Sequence, residues 1–347
     1  MAFTPINKST DYFNTKLYTG NGSTNTITGL NFEPDMTWLK ARSGASGNEI
    51  YDAVRGATYR IYPNISDGGD ALVQGLQAWT SDGFTVGSAS GINTNSATFA
   101  SWNWKANGSG SANSDGSISS TVSVNTTSGF SIVTYTGNAT SGATIGHGLG
   151  VAPAVVLVKR LNSTGDWVMY NKELGAPDFM VLNSTAATAS SAGIWYDTTP
   201  TSSVFSVGSD GATNASSGTY VAYCFAEIQG FSKFGYYLGN SSNDGPFLYT
   251  GFKPAFVMIK QATGGNANEV WRMMDGTINP TNTVQKFLVA NSSAAEATSS
   301  TNTISMFSNG FKINTGGENS MNTNYGYIYF AFGQPIVSTN GDIATAR

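Results

Sequence analysis

One pattern occurs three times along this chain, and it limits the possible folds more than any other feature. A tyrosine followed two residues later by Gly-Asn leads to a proline, which opens an apolar run that ends in lysine. The spacing from tyrosine to proline is 16, 18 and 17 residues in the three copies, and the spacing from proline to lysine is 6 in each. A period on the order of a hundred residues is too long for a solenoid repeat and suits a whole β-sandwich domain.

The repeated residues are of the types that form turns and open strands. They are Tyr18, Gly20, Asn21, Pro34 and Lys40 in the first copy; Tyr135, Gly137, Asn138, Pro153 and Lys159 in the second; and Tyr237, Gly239, Asn240, Pro254 and Lys260 in the third. Because glycine and asparagine favour turns and proline is tolerated at strand starts, we interpret the set as structural. We expect the three lysines to form ion pairs with carboxylates that follow them, namely Asp52, Asp166 and Asp275.

The composition narrows the class of protein. Charged residues make up 11% of the chain, against about 25% in an average soluble protein, and aromatic residues make up 12%. A weakly charged, aromatic and β-prone chain is typical of rigid extracellular or virion proteins, and disordered chains lack this aromatic content. The net charge of −4 argues against a nucleic-acid partner, which would require clustered lysine and arginine.

The sequence shows no targeting segment and no disulfide framework. No basic start followed by an apolar stretch indicates a signal peptide, and no run of about 18 apolar residues predicts membrane insertion. The single cysteine, Cys224, lies in an alternating apolar run and has no internal partner for a disulfide. This pattern leaves open a protein that is made in a cytoplasm and acts outside a cell.

Short apolar runs divided by Gly, Asn and Ser clusters predict an all-β fold. Residues 155–158 and 256–259 are apolar at successive positions, which indicates strands buried on both faces. We predict three tandem β-sandwich domains of jelly-roll type, over residues 1–105, 106–229 and 230–347. Residues 105–129 are rich in Gly, Ser and Asn and are predicted as a flexible linker, in which residues 118–124 pair as an edge strand.

Few residues suit catalysis or metal binding. His147, the only histidine, lies between glycines in the turn before Pro153. A zinc site needs several His or Cys ligands, so we interpret His147 as a turn residue and predict no metal, cofactor or catalytic residue. Glycoside hydrolysis remains the least favoured alternative, because it needs only two carboxylates in one cleft. The carboxylates considered for it are Glu49, Asp52, Asp166, Glu269 and Asp275.

Aromatic residues in polar, loop-like stretches are candidates for sugar recognition, which uses exposed ring faces in concave sites. The candidates are Trp79, Trp167, Trp195, Tyr196 and Trp271. For each of them the alternative interpretation is a packing residue of a core or its rim. Trp102 and Trp104 lie in an alternating run and are assigned to a core strand.

Several strings of the sequence resemble a known family. They lie at residues 12–22 (YFNTKLYTGNG), 130–138 (FSIVTYTGN), 146–150 (GHGLG) and 251–260 (GFKPAFVMIK). They are similar to a repeat-containing structural or tail-fibre-like module in virion proteins of marine and cyanobacterial tailed bacteriophages. The resemblance covers nearly the whole chain and implies a fold like that of concanavalin-type lectin sandwiches. The chain lacks an acidic cluster of the Asp-x-Asp-x-Asn kind, so calcium-dependent sugar binding is not expected.

The sequence therefore predicts a non-enzymatic virion structural protein, assembled in a host cytoplasm and decorating a phage head or tail. Its expected partners are other virion proteins, including further copies of itself. No stalk precedes the first copy of the pattern, which favours a compact piece attached directly to the particle. An adhesin that recognises a host surface glycan is the alternative, and a polysaccharide depolymerase is the least favoured interpretation.

Overall fold

A computed structural model describes residues 4–264, 269–314 and 321–334, and shows an all-β protein with several sheets. The outermost residues of the predicted domains, 1–3 and 335–347, lie outside this described part. The three copies are called repeat 1 (to residue 105), repeat 2 (106–229) and repeat 3 (from 230). Each repeat contributes one large and one small antiparallel sheet, which is consistent with the predicted β-sandwich.

Repeat 1 forms a six-stranded sheet in the order β1-β9-β3-β4-β5-β6 and a three-stranded sheet in the order β2-β8-β7. A short 3-10 helix, Ser9–Asp11, precedes them, and helix α1, Ser90–Asn93, precedes β9. The strands are β1 (Phe13–Thr19), β2 (Asn25–Thr28), β3 (Met36–Ala41), β4 (Asn48–Asp52), β5 (Gly56–Ile61), β6 (Asp70–Ala71), β7 (Leu76–Thr80), β8 (Gly83–Val86) and β9 (Thr98–Trp104).

Repeat 2 forms an eight-stranded sheet in the order β10-β11-β12-β19-β14-β15-β16-β17 and a pair of strands, β13-β18. Its helices are α2 (Ala192–Trp195) and α3 (Gly211–Asn214). Its strands are β10 (Ser111–Asn113), β11 (Ser120–Asn125), β12 (Phe130–Thr136), β13 (Ala143–Gly146), β14 (Val155–Arg160), β15 (Val168–Asn171), β16 (Asp178–Val181), β17 (Ala189–Ser190), β18 (Val204–Val207) and β19 (Thr219–Phe225).

Repeat 3 forms a six-stranded sheet in the order β20-β28-β22-β23-β24-β25 and a three-stranded sheet in the order β21-β27-β26. Its strands are β20 (Ser232–Leu238), β21 (Phe247–Tyr249), β22 (Pro254–Gln261), β23 (Arg272–Asp275), β24 (Lys286–Val289), β25 (Ala297–Thr298), β26 (Ile304–Phe307), β27 (Gly310–Ile313) and β28 (Gly326–Gly333). No helix within the described ranges is long and apolar enough to span a membrane.

The strand register defines which residues are equivalent in the three repeats. In every large sheet the lysine-bearing strand pairs with the last strand of the repeat, which also pairs with the strand that carries the repeated tyrosine. The matching pairs are Trp38 with Trp102, Leu157 with Tyr223, and Met258 with Phe330.

The central strands of each large sheet are buried on both faces, as residues 155–158 and 256–259 predicted for β14 and β22. One face packs on the small sheet of its own repeat; in repeat 1 this layer joins Leu39 and Tyr51 to Phe84 and Val86. The other face joins a core that all three repeats share. A cavity of about 40 Å³ remains there, lined by apolar side chains from all three repeats. The sheets therefore enclose a common centre.

The repeats are joined into a closed ring by equivalent backbone hydrogen bonds, so the contacts repeat with approximate three-fold symmetry. The donor nitrogen lies five residues after a turn asparagine that is not the one in the Tyr-Gly-Asn pattern. The acceptor oxygen lies two residues after the repeated lysine. The bonds run from Gly69 to Leu161, from Thr188 to Ala262 and from Glu296 to Arg42, each at 2.9 Å. We call these interfaces seam 1/2, seam 2/3 and seam 3/1. Repeat 3 contacts repeat 1 in the same way as consecutive repeats contact each other.

The segment at 105–129 contributes strands to the large sheet of repeat 2. Strand β11 pairs with β12 along its full length, and β10 pairs with its other side. The prediction of an edge strand at 118–124 is therefore wrong, because β10 forms the edge of this sheet, and residues 111–113 and 120–125 of the predicted linker are strand residues. The buried carboxylate of Asp35 anchors the start of the segment by accepting hydrogen bonds from the nitrogens of Ala106 (2.6 Å) and Gly108 (2.8 Å).

Candidate functional site

The repeated tyrosines hold the same turn in all three repeats. Each hydroxyl donates to a carbonyl before the last strand: Tyr18 to Ile92 (2.6 Å), Tyr135 to Thr213 (2.7 Å) and Tyr237 to Met321 (2.7 Å). Each ring stacks on an aromatic ring of that strand at about 5 Å, namely Phe99, Tyr220 and Tyr327. These contacts bury a polar group with its partner satisfied, which supports a structural role.

The glycine and asparagine of the pattern pack against a second asparagine that the sequence interpretation missed. A Cβ on Gly20, Gly137 or Gly239 would lie within 2.5 Å of a carbonyl oxygen, so a side chain is excluded there. The second asparagine is Asn93, Asn214 or Asn322, and its Oδ1 accepts from the nitrogen of Asn21, Asn138 or Asn240 at 2.8 to 3.0 Å. The sequence signal for this second asparagine is its common position a few residues before the last strand of each repeat, in Asn93-Thr, Asn214-Ala and Asn322-Thr.

The prediction that the repeated lysines pair with the following carboxylates is wrong. Each lysine is buried and donates instead to a backbone carbonyl of another repeat. The bonds run from Lys40 to Ser292 (2.8 Å), from Lys159 to Ser66 (3.0 Å) and from Lys260 to Thr185 (3.1 Å). Burial lowers the pKa of each of the three ammonium groups to about 8. The lysines therefore tie the ring together at all three seams.

Asp52 and Asp275 lie at the seams but bond to other partners than lysine. Asp52 accepts from the hydroxyl of Tyr223 (2.7 Å) and from Arg55. Asp275 accepts from Nε1 of Trp102 (3.0 Å) and from the hydroxyl of Thr15 (2.7 Å). In both cases a carboxylate of one repeat accepts from an aromatic donor of another.

The third equivalent position carries an amide. Asn171 pairs with Val155 just as Asp52 pairs with Met36. The ring equivalent to Tyr223 is that of Phe330, which has no donor, and the Nδ2 of Asn171 has no hydrogen-bond partner within the described part of the chain. Asp166, the carboxylate predicted for this repeat, is exposed and accepts instead from Asn183 (2.8 Å).

The remaining carboxylates considered for hydrolysis have structural surroundings. Glu49 is buried, accepts from Tyr51 and Arg60, and has a pKa raised by burial. Glu269 is buried in repeat 3, where burial also raises its pKa. Neither side chain is exposed, and a glycosidase needs its carboxylates in an open cleft.

His147 is fully buried in its turn. Its Nδ1 accepts from the nitrogen of Leu149 (3.2 Å), and its Nε2 lies 3.2 Å from the carbonyl oxygen of Thr201. Burial lowers the pKa of the imidazole. Within the described ranges, no group of three or more His, Cys, Asp or Glu side chains is placed to hold a metal ion.

Three of the five glycan candidates are inaccessible. Trp167, Trp195 and Trp271 are at most 1% exposed and offer no ring face to a sugar. The indoles of Trp167 and Trp271 instead cross seams, donating to the carbonyls of Tyr62 (2.8 Å) and Val181 (3.2 Å). Their polar sequence neighbours suggested a loop, but the side chains fill the ring interior.

The other two candidates lie apart from each other. Trp79 is half-buried in the layer between the sheets of repeat 1 and donates to Thr37 Oγ1 at 3.3 Å. Tyr196 is 50% exposed in repeat 2, beyond helix α2. The five candidates therefore do not converge on one site.

The outer face of the small sheet in repeat 3 carries aromatic side chains that the sequence interpretation did not select. Phe247 and Tyr249 are 46% and 63% exposed, and they lie on one face because alternate residues of a strand point the same way. The ring of Phe307 lies edge-on to that of Phe247 at 5.9 Å. The equivalent residues of repeat 1 are Thr26, Thr28 and Thr80. Aligning the three copies position by position would have shown this difference.

A recess of about 400 Å³ opens at seam 1/2, larger than surface recesses of about 280 and 210 Å³ elsewhere. Its lining residues are Arg55, Tyr59, Gly69, Leu161, Asn162 and Thr219. Tyr59 is 51% exposed. The recess is concave, contains an exposed aromatic ring, and was not found from the sequence because its residues come from two repeats.

The fold and its surface define a class: an all-β protein of repeated sheets whose buried polar residues hold the repeats together. The chain belongs to the family described as a domain of unknown function (DUF7483), whose model matches residues 8–335. No curated protein and no solved structure matches the chain.

Proposed function

We propose that this protein is a non-enzymatic structural component of a tailed-bacteriophage particle, in which it attaches to the head or tail. The proposal rests on the resemblance of the sequence to a phage virion module and on the arrangement of the three repeats. In this account each repeat is a β-sandwich of the jelly-roll, concanavalin-like type, and the three form one rigid body. The partners would be other virion proteins or further copies of this chain.

The observation that carries the proposal is that the repeated polar residues form their hydrogen bonds inside the fold. The lysines, the tyrosines and the buried carboxylates Asp52 and Asp275 all bond within the fold, and many of these bonds cross seams. A site for catalysis keeps reactive groups open to substrate. A chain that uses its buried polar groups for internal cohesion is suited to bearing load.

The aromatic outer face of repeat 3 is the surface best suited to a contact with another virion protein. Phe247 and Tyr249 place exposed rings on a sheet face where repeat 1 has threonine, and the partly buried ring of Phe307 packs edge-on against Phe247. Aromatic residues are enriched at protein interfaces because they bury a large area with little loss of side-chain freedom.

The test is to locate the chain by cryo-EM of purified particles. The proposal expects density for the three-repeat ring on the particle, with repeat 3 facing a neighbour. A matched pair of variants sharpens it: Phe247→Thr with Tyr249→Thr should lose incorporation, and Thr26→Phe with Thr28→Tyr should keep it. Absence of the chain from purified particles would refute the proposal.

A second candidate function is recognition of a surface glycan. The observation that favours it is the recess at seam 1/2, with its exposed tyrosine and polar rim. An adhesin and a structural component are compatible in one particle, because the recess lies in repeats 1 and 2 and the aromatic outer face lies in repeat 3.

A further inference from the structure

The recess at seam 1/2 is lined by Tyr59, Gly69 and Leu161 at the positions where seam 3/1 carries three long charged side chains. The register gives the equivalent pairs: Tyr59 and Lys286, Gly69 and Glu296, and Leu161 and Arg42. In seam 3/1, Arg42 Nε lies 2.6 Å from Glu296 Oε2, and Lys286 Nζ lies 3.6 Å from Glu296 Oε1. That ion-paired cluster occupies the surface that stays open in seam 1/2.

The substitutions in seam 1/2 make an apolar wall. The ring of Tyr59 is half exposed, and the side chain of Leu161 is partly buried against the shared core. Gly69 adds no side chain to this wall, and a Cβ there would already meet Ile61 Cγ2 at 3.1 Å and Leu161 Cδ2 at 3.7 Å. A flat ring beside an aliphatic group fits the C–H face of a pyranose, which is apolar on that side and bears its hydroxyls at the edge.

The polar groups of the recess are held in place by the fold. Asn162 Oδ1 accepts from the nitrogen of Thr219 at 3.2 Å, and its Nδ2 donates to the carbonyl of Ser217 at 3.1 Å. An amide nitrogen has two donors, and one remains for a ligand. A fixed amide at the rim is the kind of group that orients a hydroxyl-bearing ligand.

The charge in the recess is compensated. Among the described residues that line it, Arg55 alone is charged, and the guanidinium Nε bonds to Asp52 at 2.5 Å. The same guanidinium lies 3.5 Å from the hydroxyl of Tyr223. A cation already paired in this way adds a hydrogen-bonding surface without demanding an anionic ligand, so a neutral ligand is favoured over an acidic one.

From these observations we infer that the recess at seam 1/2 binds a neutral saccharide unit, with a pyranose ring stacked on Tyr59 and hydroxyls bonded to Asn162. The inference names the ligand class of the second candidate function, glycan recognition, and rests on that candidate; it does not depend on the structural role in the particle. It would hold wherever the protein is located.

Saturation-transfer NMR of the full chain tests it with four probes: methyl glucoside, methyl galactoside, methyl mannoside and glucuronic acid. The inference expects transfer to at least one neutral probe, focused on the C–H protons of one sugar face, and weaker transfer to glucuronic acid. Tyr59→Ala should weaken binding by about tenfold or more. Tyr249→Ala, which removes an exposed tyrosine of repeat 3, is the matched control and should bind as the unsubstituted protein does.

A second variant fills the recess with the side chains of seam 3/1: Tyr59→Lys, Gly69→Glu and Leu161→Arg together. It should abolish transfer while the far-ultraviolet circular dichroism stays that of a folded β-protein. If this variant does not fold, Tyr59→Ala alone decides. No transfer to any neutral probe, transfer to glucuronic acid alone, or equal binding by Tyr59→Ala and Tyr249→Ala would each overturn the inference. None of these outcomes bears on whether the chain is found in particles.

Discussion

Seams 1/2 and 3/1 each hold a buried carboxylate against an aromatic donor, whereas seam 2/3 has an amide and a phenyl ring at the equivalent positions. Asp52 accepts a hydrogen bond from Tyr223, and Asp275 accepts one from Trp102. In seam 2/3 the position of the carboxylate is taken by the uncharged Asn171, and the position of the donor ring is taken by Phe330, which has no donor group. The charge and the donor are therefore both absent from seam 2/3. A buried carboxylate without its donor is costly, so the charge and the donor are retained or lost as a pair.

The largest effect on stability is expected from a variant that introduces the carboxylate into seam 2/3 without its hydrogen-bond donor. Asn171→Asp buries a carboxylate opposite Phe330 and should lower the free energy of unfolding by about 3 kcal/mol. Adding Phe330→Tyr supplies a hydroxyl at the position that Tyr223 has in seam 1/2 and should recover part of the loss. Guanidinium denaturation of both single variants and the double variant measures the coupling. Strictly additive effects would contradict the pairing.

Removing a donor from an existing pair should have a somewhat smaller effect. Trp102→Phe takes one hydrogen bond from the buried carboxylate of Asp275 and should cost about 2 kcal/mol, because bonds to charged groups are the stronger ones. The matched control is Trp79→Phe, whose indole donates to a neutral hydroxyl, and it should cost less than about 1 kcal/mol. Equal losses measured by denaturation would show that indole volume, not the carboxylate, decides.

The lysines at the seams should make stability depend on pH. Burial lowers the pKa of Lys40, Lys159 and Lys260 to about 8, whereas a lysine in the unfolded chain has a pKa of about 10.4. Between these values the unfolded chain binds more protons, so the free energy of unfolding rises with pH, by about 1 kcal/mol per pH unit for each lysine near pH 9. Burial raises the pKa of the Cys224 thiol to about 12, which acts in the opposite direction, but as one group against three.

Denaturation at pH values from 7 to 9 checks this dependence, with Lys159→Met as the comparison. The variant should lose about a third of the lysine contribution to the slope, because one of three equivalent groups is gone. A stability that falls with rising pH, or an unchanged slope in Lys159→Met, would contradict the assignment.

The smallest effect on stability is expected on the outer face of repeat 3. Phe247→Thr with Tyr249→Thr gives repeat 3 the residues of repeat 1 and should change the free energy of unfolding by less than about 0.5 kcal/mol, because the rings are exposed. A larger loss in a denaturation curve would mean that these rings support the fold of repeat 3 and are not reserved for a partner.

Local patterns in the sequence predicted local structure well. The alternating run with Trp102 and Trp104 forms the central strand β9, and the Tyr-Gly-Asn pattern forms a turn with the same hydrogen bonds in each repeat. These features depend on residues that are near each other in the chain or within one repeat.

The contacts across the seams could not be read from the sequence. Lys40 bonds to Ser292, which is 252 residues away, and nothing near the lysine indicates that carbonyl. The same limit explains the tryptophans: Trp167 and Trp271 follow polar stretches, yet their indoles meet carbonyls of a neighbouring repeat. The recess at seam 1/2 was missed for that reason too, because Tyr59 and Asn162 meet only once the ring closes.

Native-state hydrogen exchange of the full chain tests the closed ring most directly. The amides of Gly69, Thr188 and Glu296 each cross one seam to an equivalent carbonyl. If the three repeats form one cooperative body, these amides should exchange with opening free energies that agree within about 1 kcal/mol and fall together in denaturant. Fast exchange of Glu296 beside slow exchange of Gly69 and Thr188 would mean that repeats 3 and 1 are not joined like the others, and the account would be wrong.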